Sequence, residues 1–222
     1  MVKELKIEQY LEGKLIDSSL TSYDEGHFVD LGFKLDDRRK EYTEQVVSVQ
    51  NRFPERLNLK KIFDGLMYSY LYYNLLNHFK SFKGKKILEL ECGTGEFLYI
   101  LGMEGAVPYG MDETKDEVDV ANHVMGSMLK GVPRIHICKV SDALPFEGQF
   151  DAVISHNTLV QDVYHWDELK AIIDRLSGIT PYQAHFAYSD NRFPAKDFAG
   201  EKRWVKNFSY DDRYHVTEVH RT

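Results

Sequence analysis

The sequence predicts an α/β fold with a mostly parallel seven-stranded sheet, helices on both faces and an N-terminal helical cap. Three observations support this prediction. Short apolar segments alternate with helical periodicity after residue 85, a glycine-bearing turn joins the first of these segments to a helix, and two helical patterns come before that turn. The predicted strands cover residues 87–90, 106–111, 134–140, 150–155, 182–188, 203–209 and 214–220, and the last two are expected to form a closing antiparallel pair.

The composition is that of a globular protein of one or two domains. The chain has 222 residues and a formal net charge of −7, and its sequence contains neither an apolar run long enough to span a membrane nor an apolar N-terminal signal segment. Cys92 and Cys138 form neither a disulfide framework nor a metal-ligand pattern, so we expect reduced thiols in a cytoplasmic protein without a metal. The acidic balance argues against a nucleic-acid partner, and the sequence leaves a homodimer open.

We divide the chain into an N-terminal extension and cap at residues 1–56 and a larger domain at residues 57–222. Residues 1–33 show no clear pattern because several glycines interrupt them. A helix is predicted from Asp36, since apolar residues then recur on one face until Pro54 stops the pattern. The predicted boundary between the two parts therefore lies directly after this helix.

A second helix is predicted from Leu59 towards Phe79, and its middle is rich in tyrosine. The run reads Tyr68-Ser69-Tyr70-Leu71-Tyr72-Tyr73. Some of these tyrosines line a cleft or an interface, or else the helix packs them and their hydroxyl groups reach water. The sequence leaves these two interpretations open.

The stretch from Ile87 to Phe97, Ile-Leu-Glu-Leu-Glu-Cys-Gly-Thr-Gly-Glu-Phe, joins a buried strand to a helix through a turn with two glycines. Glycine lets the backbone approach a ligand that a Cβ would keep away. A dinucleotide-binding Gly-x-Gly-x-x-Gly pattern counted from Gly93 would need a glycine at Leu98, so that pattern does not fit.

This stretch resembles motif I of the class I S-adenosylmethionine (SAM) methyltransferases, which implies a Rossmann-like fold and SAM as cofactor. By this resemblance Glu89 is the acid of the motif, Gly93 and Gly95 are its second and third glycines, and Glu91 replaces its first glycine. The first glycine of the family lies under the methionine part of SAM. We therefore expect Glu91 to weaken SAM binding or to shift the methionine tail, since like charges 4 Å apart repel by about 1 kcal/mol in water.

Three later segments follow in the order that the family implies. Asp112 ends the second strand and matches the acid that binds the ribose hydroxyl groups. We expect Thr114 and Glu117 to form a capping box at the start of the next helix. The turn after the third strand places Asp142 and Ala143 where the family contacts adenine, and the fourth strand ends at Ser155, which the resemblance adds to the cofactor-binding residues.

The substrate side is predicted from position at the carboxyl ends of the strands. His156 and His165 are candidate general bases, although loop histidines are usually solvated bystanders. Candidate substrate-binding residues are Tyr72, Tyr73, Tyr164, Trp166 and Arg192.

The resemblance implies O- or N-methylation of a small molecule. One alternative is a degenerate relative with a binding or regulatory role, which Glu91 supports. The other is an RNA methyltransferase, which would need a basic face such as Lys196, Lys202, Arg203 and Lys206.

Overall fold

The computed structural model describes residues 1–49, 65–129, 134–159, 164–188, 195–199, 203–210 and 213–221. The chain forms two compact units, one made of Met1–His27 with Gly148–Thr222 and the other of Phe28–Glu147. The predicted domain boundary after residue 56 lies outside the described residues, as do Pro54 and Leu59. Within the described ranges, no helix combines the length and the apolar content needed to cross a bilayer.

The described residues form nine strands and six helices. In chain order these are β1 (Val2–Leu11), β2 (Lys14–Asp24), α1 (Glu25–Val49), α2 (Gly65–Phe79), β3 (Lys86–Leu90), α3 (Glu96–Met103), β4 (Val107–Asp112), α4 (Lys115–Met128), β5 (Arg134–Ile137), β6 (Ala152–His156), α5 (Trp166–Ile179), β7 (Tyr182–Tyr188), α6 (Ala195–Phe198), β8 (Arg203–Tyr210) and β9 (Tyr214–Arg221).

The unit Phe28–Glu147 contains the parallel strands β3, β4 and β5, joined through α3 and α4. Leu90 at the end of β3 lies opposite Met111 of β4, and Asp112 at the end of β4 lies opposite Ile137 of β5. The carboxyl ends of the strands therefore meet at one edge. Side chains of α1, α3 and α4 pack into one buried cluster beside this sheet, which includes Tyr42, Leu98, Tyr99, Val120 and Met125.

The other unit contains strands in the order β2-β1-β8-β9-β7-β6. Only the pair of β6 and β7 is parallel among the described pairs of this unit, whereas β1 with β2, β1 with β8, β8 with β9 and β7 with β9 are antiparallel. The prediction of a seven-stranded, mostly parallel sheet is therefore wrong. The sheet is mixed, although the predicted closing pair is confirmed as β8 and β9.

The two additional strands come from the first 24 residues, which showed no clear sequence pattern. Leu11 pairs with Lys14, so Glu12 and Gly13 form a two-residue hairpin loop. Both have positive φ, 50° and 72°, which is the conformation of a type I′ turn. Glutamate is an unusual first residue for this turn, and for this reason the hairpin was missed.

Helix α1 begins at Glu25 rather than at the predicted Asp36. It continues through Gly26 and Gly32, two of the glycines that were expected to interrupt residues 1–33. The carboxylate of Asp24 accepts a hydrogen bond of 2.9 Å from the Gly26 N–H, which satisfies one backbone donor of the first turn. This local capping offsets the poor helix propensity of glycine.

Replacing Gly126 by alanine is expected to stabilise the protein by about 0.5–1 kcal/mol, because alanine loses less backbone entropy in a helix interior. Gly126 lies inside α4, is exposed, and has no described atom within 4 Å of the position of an added Cβ. Urea denaturation followed by circular dichroism measures the change. No gain in the free energy of unfolding would show that this stretch of α4 does not behave as an ordinary helix.

Candidate functional site

The turn between β3 and α3 requires a left-handed backbone at three positions. Gly93 and Gly95 have φ values of 54° and 87°, and Glu91 has a φ of 49°. A Cβ on Gly95 would lie 2.9 Å from Sδ of Met125, so a side chain at this position would also force Met125 to move. Glu91 is exposed. It replaces the first motif glycine at a position whose left-handed backbone favours glycine.

Asp112 ties this turn to the end of β4. Its carboxylate accepts hydrogen bonds from the N–H of Gly93, at 2.9 Å, and from the N–H of Thr114, at 2.8 Å, one to each oxygen. The N–H of Cys92 also donates to the carbonyl of Met111 at 3.0 Å. A carboxylate has about four acceptor positions, so two remain for a ligand such as a pair of hydroxyl groups.

The predicted capping box at the start of α4 is wrong. Thr114 occupies the N-cap position, but its side chain makes no capping hydrogen bond among the described residues. Asp112 instead accepts the Thr114 N–H, so this acid has a structural contact as well as the position expected for ribose binding.

A chain of buried hydrogen bonds joins α1 to the turn. The hydroxyl of Tyr42 donates to the carbonyl of Thr94 at 2.5 Å, and the hydroxyl of Thr94 donates to the carboxylate of Glu96 at 2.8 Å. The ring of Tyr42 stacks on that of Tyr99 with centroids 4.8 Å apart. Helix α1 therefore contacts the turn through a specific polar bond as well as through packing.

Three buried carboxyl groups, Glu89, Glu96 and Asp112, form what we call the acidic cluster. Burial raises the pKa of Glu89 well above its ordinary value, and the charges of Glu96 and Asp112 raise it further. Burial also raises the pKa of Glu96, against the hydrogen bond from Thr94. Since like charges in a dry site disfavour ionisation, this arrangement favours a positively charged ligand.

The tyrosine run of α2 is packed rather than open. Tyr68 stacks on Phe97 with centroids 5.0 Å apart, Tyr70 stacks on Phe28 at 4.9 Å, and Tyr72 packs against Phe82 at 5.2 Å. The ring of Tyr73 also contacts Phe28, at 5.0 Å. The structure thus gives Tyr72 and Tyr73 aromatic partners, and their substrate-binding role stays a prediction.

Asp142 and Ala143 lie in an exposed turn of the same unit. The N–H of Asp142 donates to the carbonyl of Lys139 at 3.0 Å, and the thiol of Cys138 contacts the carbonyl of Ala143 at 3.5 Å. The adenine contact predicted for these residues stays a prediction.

The remaining predicted residues belong to the other unit. Ser155 is fully buried, and its hydroxyl lies 2.9 Å from Nδ1 of His185. His156 is also buried, which lowers its pKa to about 3. A histidine with this pKa is neutral and a weak base at neutral pH.

His165 occupies the N-cap position of α5, where its backbone N–H donates to the Glu168 carboxylate at 3.0 Å. Trp166 is 36% exposed and packs against Phe198 with ring centroids 5.0 Å apart. Tyr164 is half-buried, and Arg192 lies outside the described residues. The catalytic and substrate-binding roles of these residues stay predictions.

Tyr42, Thr94 and Glu96 contact the turn but were not among the predicted site residues. The helical pattern placed Tyr42 on the packed face of its helix, but a pattern does not show that its hydroxyl meets a backbone carbonyl 52 residues away. For Glu96 a signal was present, because it is an acid in the first turn of α3 directly after the last motif glycine.

Comparison of the sequence with protein-family models and with curated proteins gives no match. Comparison with solved structures does. A magnesium protoporphyrin IX methyltransferase (ChlM) from Synechocystis PCC 6803 with bound SAM aligns with a TM-score of 0.55 and 18% identity over 70% of this chain and 78% of that chain. A candidate RNA methyltransferase, PH1948, from Pyrococcus horikoshii aligns with a TM-score of 0.55 and 17% identity over 82% and 98%.

The bifunctional kinase-methyltransferase WbdD aligns with a TM-score of 0.52 and 16% identity over 70% of this chain and 38% of that chain. The names of these proteins describe different activities, but the proteins share a fold. The chain therefore has the fold of the class I SAM-dependent methyltransferases.

Proposed function

We propose that this chain is a SAM-dependent methyltransferase that acts on a small molecule. The observation that carries the proposal is the hydrogen bond from the Gly93 N–H to Asp112, which joins the glycine turn after β3 to the acid at the end of the neighbouring parallel strand β4. Ligands of open parallel sheets bind outside the carboxyl ends of the strands, which is where this pair lies.

The residues at this edge fit the parts of SAM. Asp112 has two acceptor positions left for the ribose hydroxyl groups. The backbone of the partly exposed Gly93 allows close approach of the methionine part, and the acidic cluster suits its ammonium group. When bound, SAM supplies a methyl group on a sulfonium, which already carries its own leaving group.

The protein then has to hold the acceptor in line with the methyl group, and alignment alone can supply most of the rate. A hydroxyl acceptor also requires a general base, whereas a neutral amine does not. Burial lowers the pKa of His156 to about 3, so this predicted base would accept a proton poorly at neutral pH. We therefore place N-methylation ahead of O-methylation.

A small molecule is preferred to RNA because, of the proposed basic face, only Lys196 is exposed among the residues that the structure describes. Arg203 pairs with Asp174 at 2.6 Å, and the ammonium of Lys206 lies over the ring of Phe208 at 4.8 Å. Lys202 lies outside the described residues, and the net charge of the chain is −7. Such a surface offers few contacts to a phosphate backbone.

A second candidate is a protein of this fold that does not use SAM, and Glu91 favours it. A glutamate with a φ of 49° stands where the family has glycine, and it adds an exposed negative charge to the turn. Titration with S-adenosylhomocysteine (SAH) separates the two candidates, because only the first requires binding.

Replacing Asp112 by asparagine is expected to weaken SAH binding about 10- to 100-fold, since a hydrogen bond to a charged group contributes about 1.5–3 kcal/mol. Isothermal titration calorimetry measures the change. The matched control is Asp119→Asn, which removes an acid with a 39% exposed side chain on α4 and should leave the affinity unchanged. Equal affinities of wild type and Asp112→Asn would contradict the ribose assignment, and no binding by wild type would favour the second candidate.

A further inference from the structure

Strand β2 lies at one end of the strand order, at the edge of the sheet. All its side chains except that of Tyr23 are exposed. The exposed side chains include three large apolar ones, which are Leu15 at 51% exposure, Ile16 at 54% and Leu20 at 64%. An edge strand of 11 residues with such side chains is unusual for a monomer, because its outer N–H and C=O groups can pair with another strand.

The usual protections of an edge strand are weak in β2. It contains no proline, and its one lysine, Lys14, lies at its first position. The register with β1 shifts at Gln9 and Tyr10, close to the hairpin loop, and residues 17–24 pair regularly. The regular part of the strand therefore presents a straight outer edge.

We propose that β2 pairs with β2 of a second copy of this chain, antiparallel and with Ser19 on the two-fold axis. In this register Asp17 of each copy lies opposite Thr21 of the other, so no two like charges face each other within the regularly paired residues 17–24. A two-fold interface repeats each contact, so these pairs form twice.

The same register brings the exposed apolar side chains together. Ser18 lies opposite Leu20 of the other copy, so the two Leu20 side chains are diagonal neighbours on one face of the paired strands. Long side chains reach each other across such a diagonal. Pairing therefore removes from water the most exposed apolar side chain of β2.

The registers two residues away are less favourable. With Asp17 on the axis, two Asp17 carboxylates would lie opposite each other, and like charges directly opposite each other destabilise a strand pair. With Thr21 on the axis, Asp17 would have no partner in β2 of the other copy, because β2 ends at Asp24 and helix α1 begins at the next residue. Charge and strand length thus favour Ser19 as the centre.

The experiment is sedimentation velocity on the full chain over a concentration series from about 1 µM to about 1 mM. Wild type should show a concentration-dependent dimer. Ser19→Lys and Ser19→Glu should each raise the dimer dissociation constant at least about tenfold, because each places two like charges on the axis. An equimolar mixture of the two variants should dimerise again, since lysine then lies opposite glutamate.

The control is Ser48→Lys, which adds the same charge to an exposed serine of α1 and should leave the dimer unchanged. Circular dichroism confirms that each variant is folded. A wild type that stays monomeric at the highest concentration overturns the proposal. Dimers of Ser19→Lys as stable as wild type, or a mixture that does not restore dimerisation, overturn the proposed pairing of β2 at Ser19.

Discussion

Replacing Gly95 by alanine is expected to lower the free energy of unfolding by about 2–5 kcal/mol and to abolish measurable SAH binding. Two effects add. The φ of 87° disfavours an L-residue by about 1–2 kcal/mol. A Cβ would also lie 2.9 Å from Sδ of Met125 and 3.4 Å from the hydroxyl of Tyr42, and overpacking of this kind costs about 1–3 kcal/mol.

Gly95 is important for binding as well as for stability because it follows Thr94, whose carbonyl accepts a hydrogen bond from the Tyr42 hydroxyl. Backbone strain at position 95 therefore disturbs this hydrogen bond and the turn that it holds. Urea denaturation measures the stability, and calorimetry with SAH measures the binding.

The matched control for Gly95 is Gly84→Ala. Gly84 has a φ of 75°, but no described atom lies within 4 Å of an added Cβ, so only the backbone strain remains. The difference between the two variants in the free energy of unfolding therefore measures the steric contribution. If both lose the same stability, packing against Met125 is not what excludes a side chain at position 95.

The second large effect is expected from Glu89→Gln, which should stabilise the free protein at neutral pH and weaken SAH binding. Burial, followed by the charges of Glu96 and Asp112, raises the pKa of Glu89 above its ordinary value of 4.5, so the folded state holds this proton more tightly than the unfolded state. The stability that this group contributes is therefore full below pH 4.5 and is lost as the pH rises towards the folded pKa.

A glutamine does not titrate, so the variant should lack this loss of stability. The gain at neutral pH amounts to about 1.4 kcal/mol for each unit by which the folded pKa exceeds the unfolded one. Binding should change in the opposite direction, by about 10- to 100-fold, because the neutral amide cannot form a charge-assisted bond with the ammonium group.

Thermal unfolding between pH 4 and pH 9, together with calorimetry, measures both changes. The control is Glu113→Gln, which removes a carboxylate with a 61% exposed side chain and should alter neither. Stability and affinity that fall together in Glu89→Gln would mean that this carboxylate is a structural partner rather than a ligand for a cation.

The elements that the sequence predicted well have local signals. Strands β3, β4 and β7 are short apolar segments bounded by turns, and the glycine turn lies between a strand and a helix that are adjacent in the chain. The fold class and the position of Gly93, Gly95 and Asp112 at one sheet edge therefore follow from nearest neighbours in the sequence.

The features that were missed depend on distant residues. Strand β1 pairs with β8, which lies far away in the sequence, so the residues around β1 do not reveal its backbone partners. The hydroxyl of Tyr42 donates to the carbonyl of Thr94, which lies far away in the sequence. A helical pattern around residue 42 therefore does not predict this hydrogen bond. The low pKa of His156 results from burial in the assembled unit, and a position at the end of a strand does not reveal it.

The unit that contains β1 is built from both ends of the chain, and this has a consequence for protein synthesis. Leu5 pairs with Tyr210 and Leu11 with Trp204, so β1 leaves the ribosome long before its partner β8 exists. The unit Phe28–Glu147 is continuous in sequence and can fold while the ribosome still makes the rest. During that interval the hairpin of β1 and β2 exposes two strand edges instead of one, which leaves the nascent chain vulnerable to aggregation until β8 has been made.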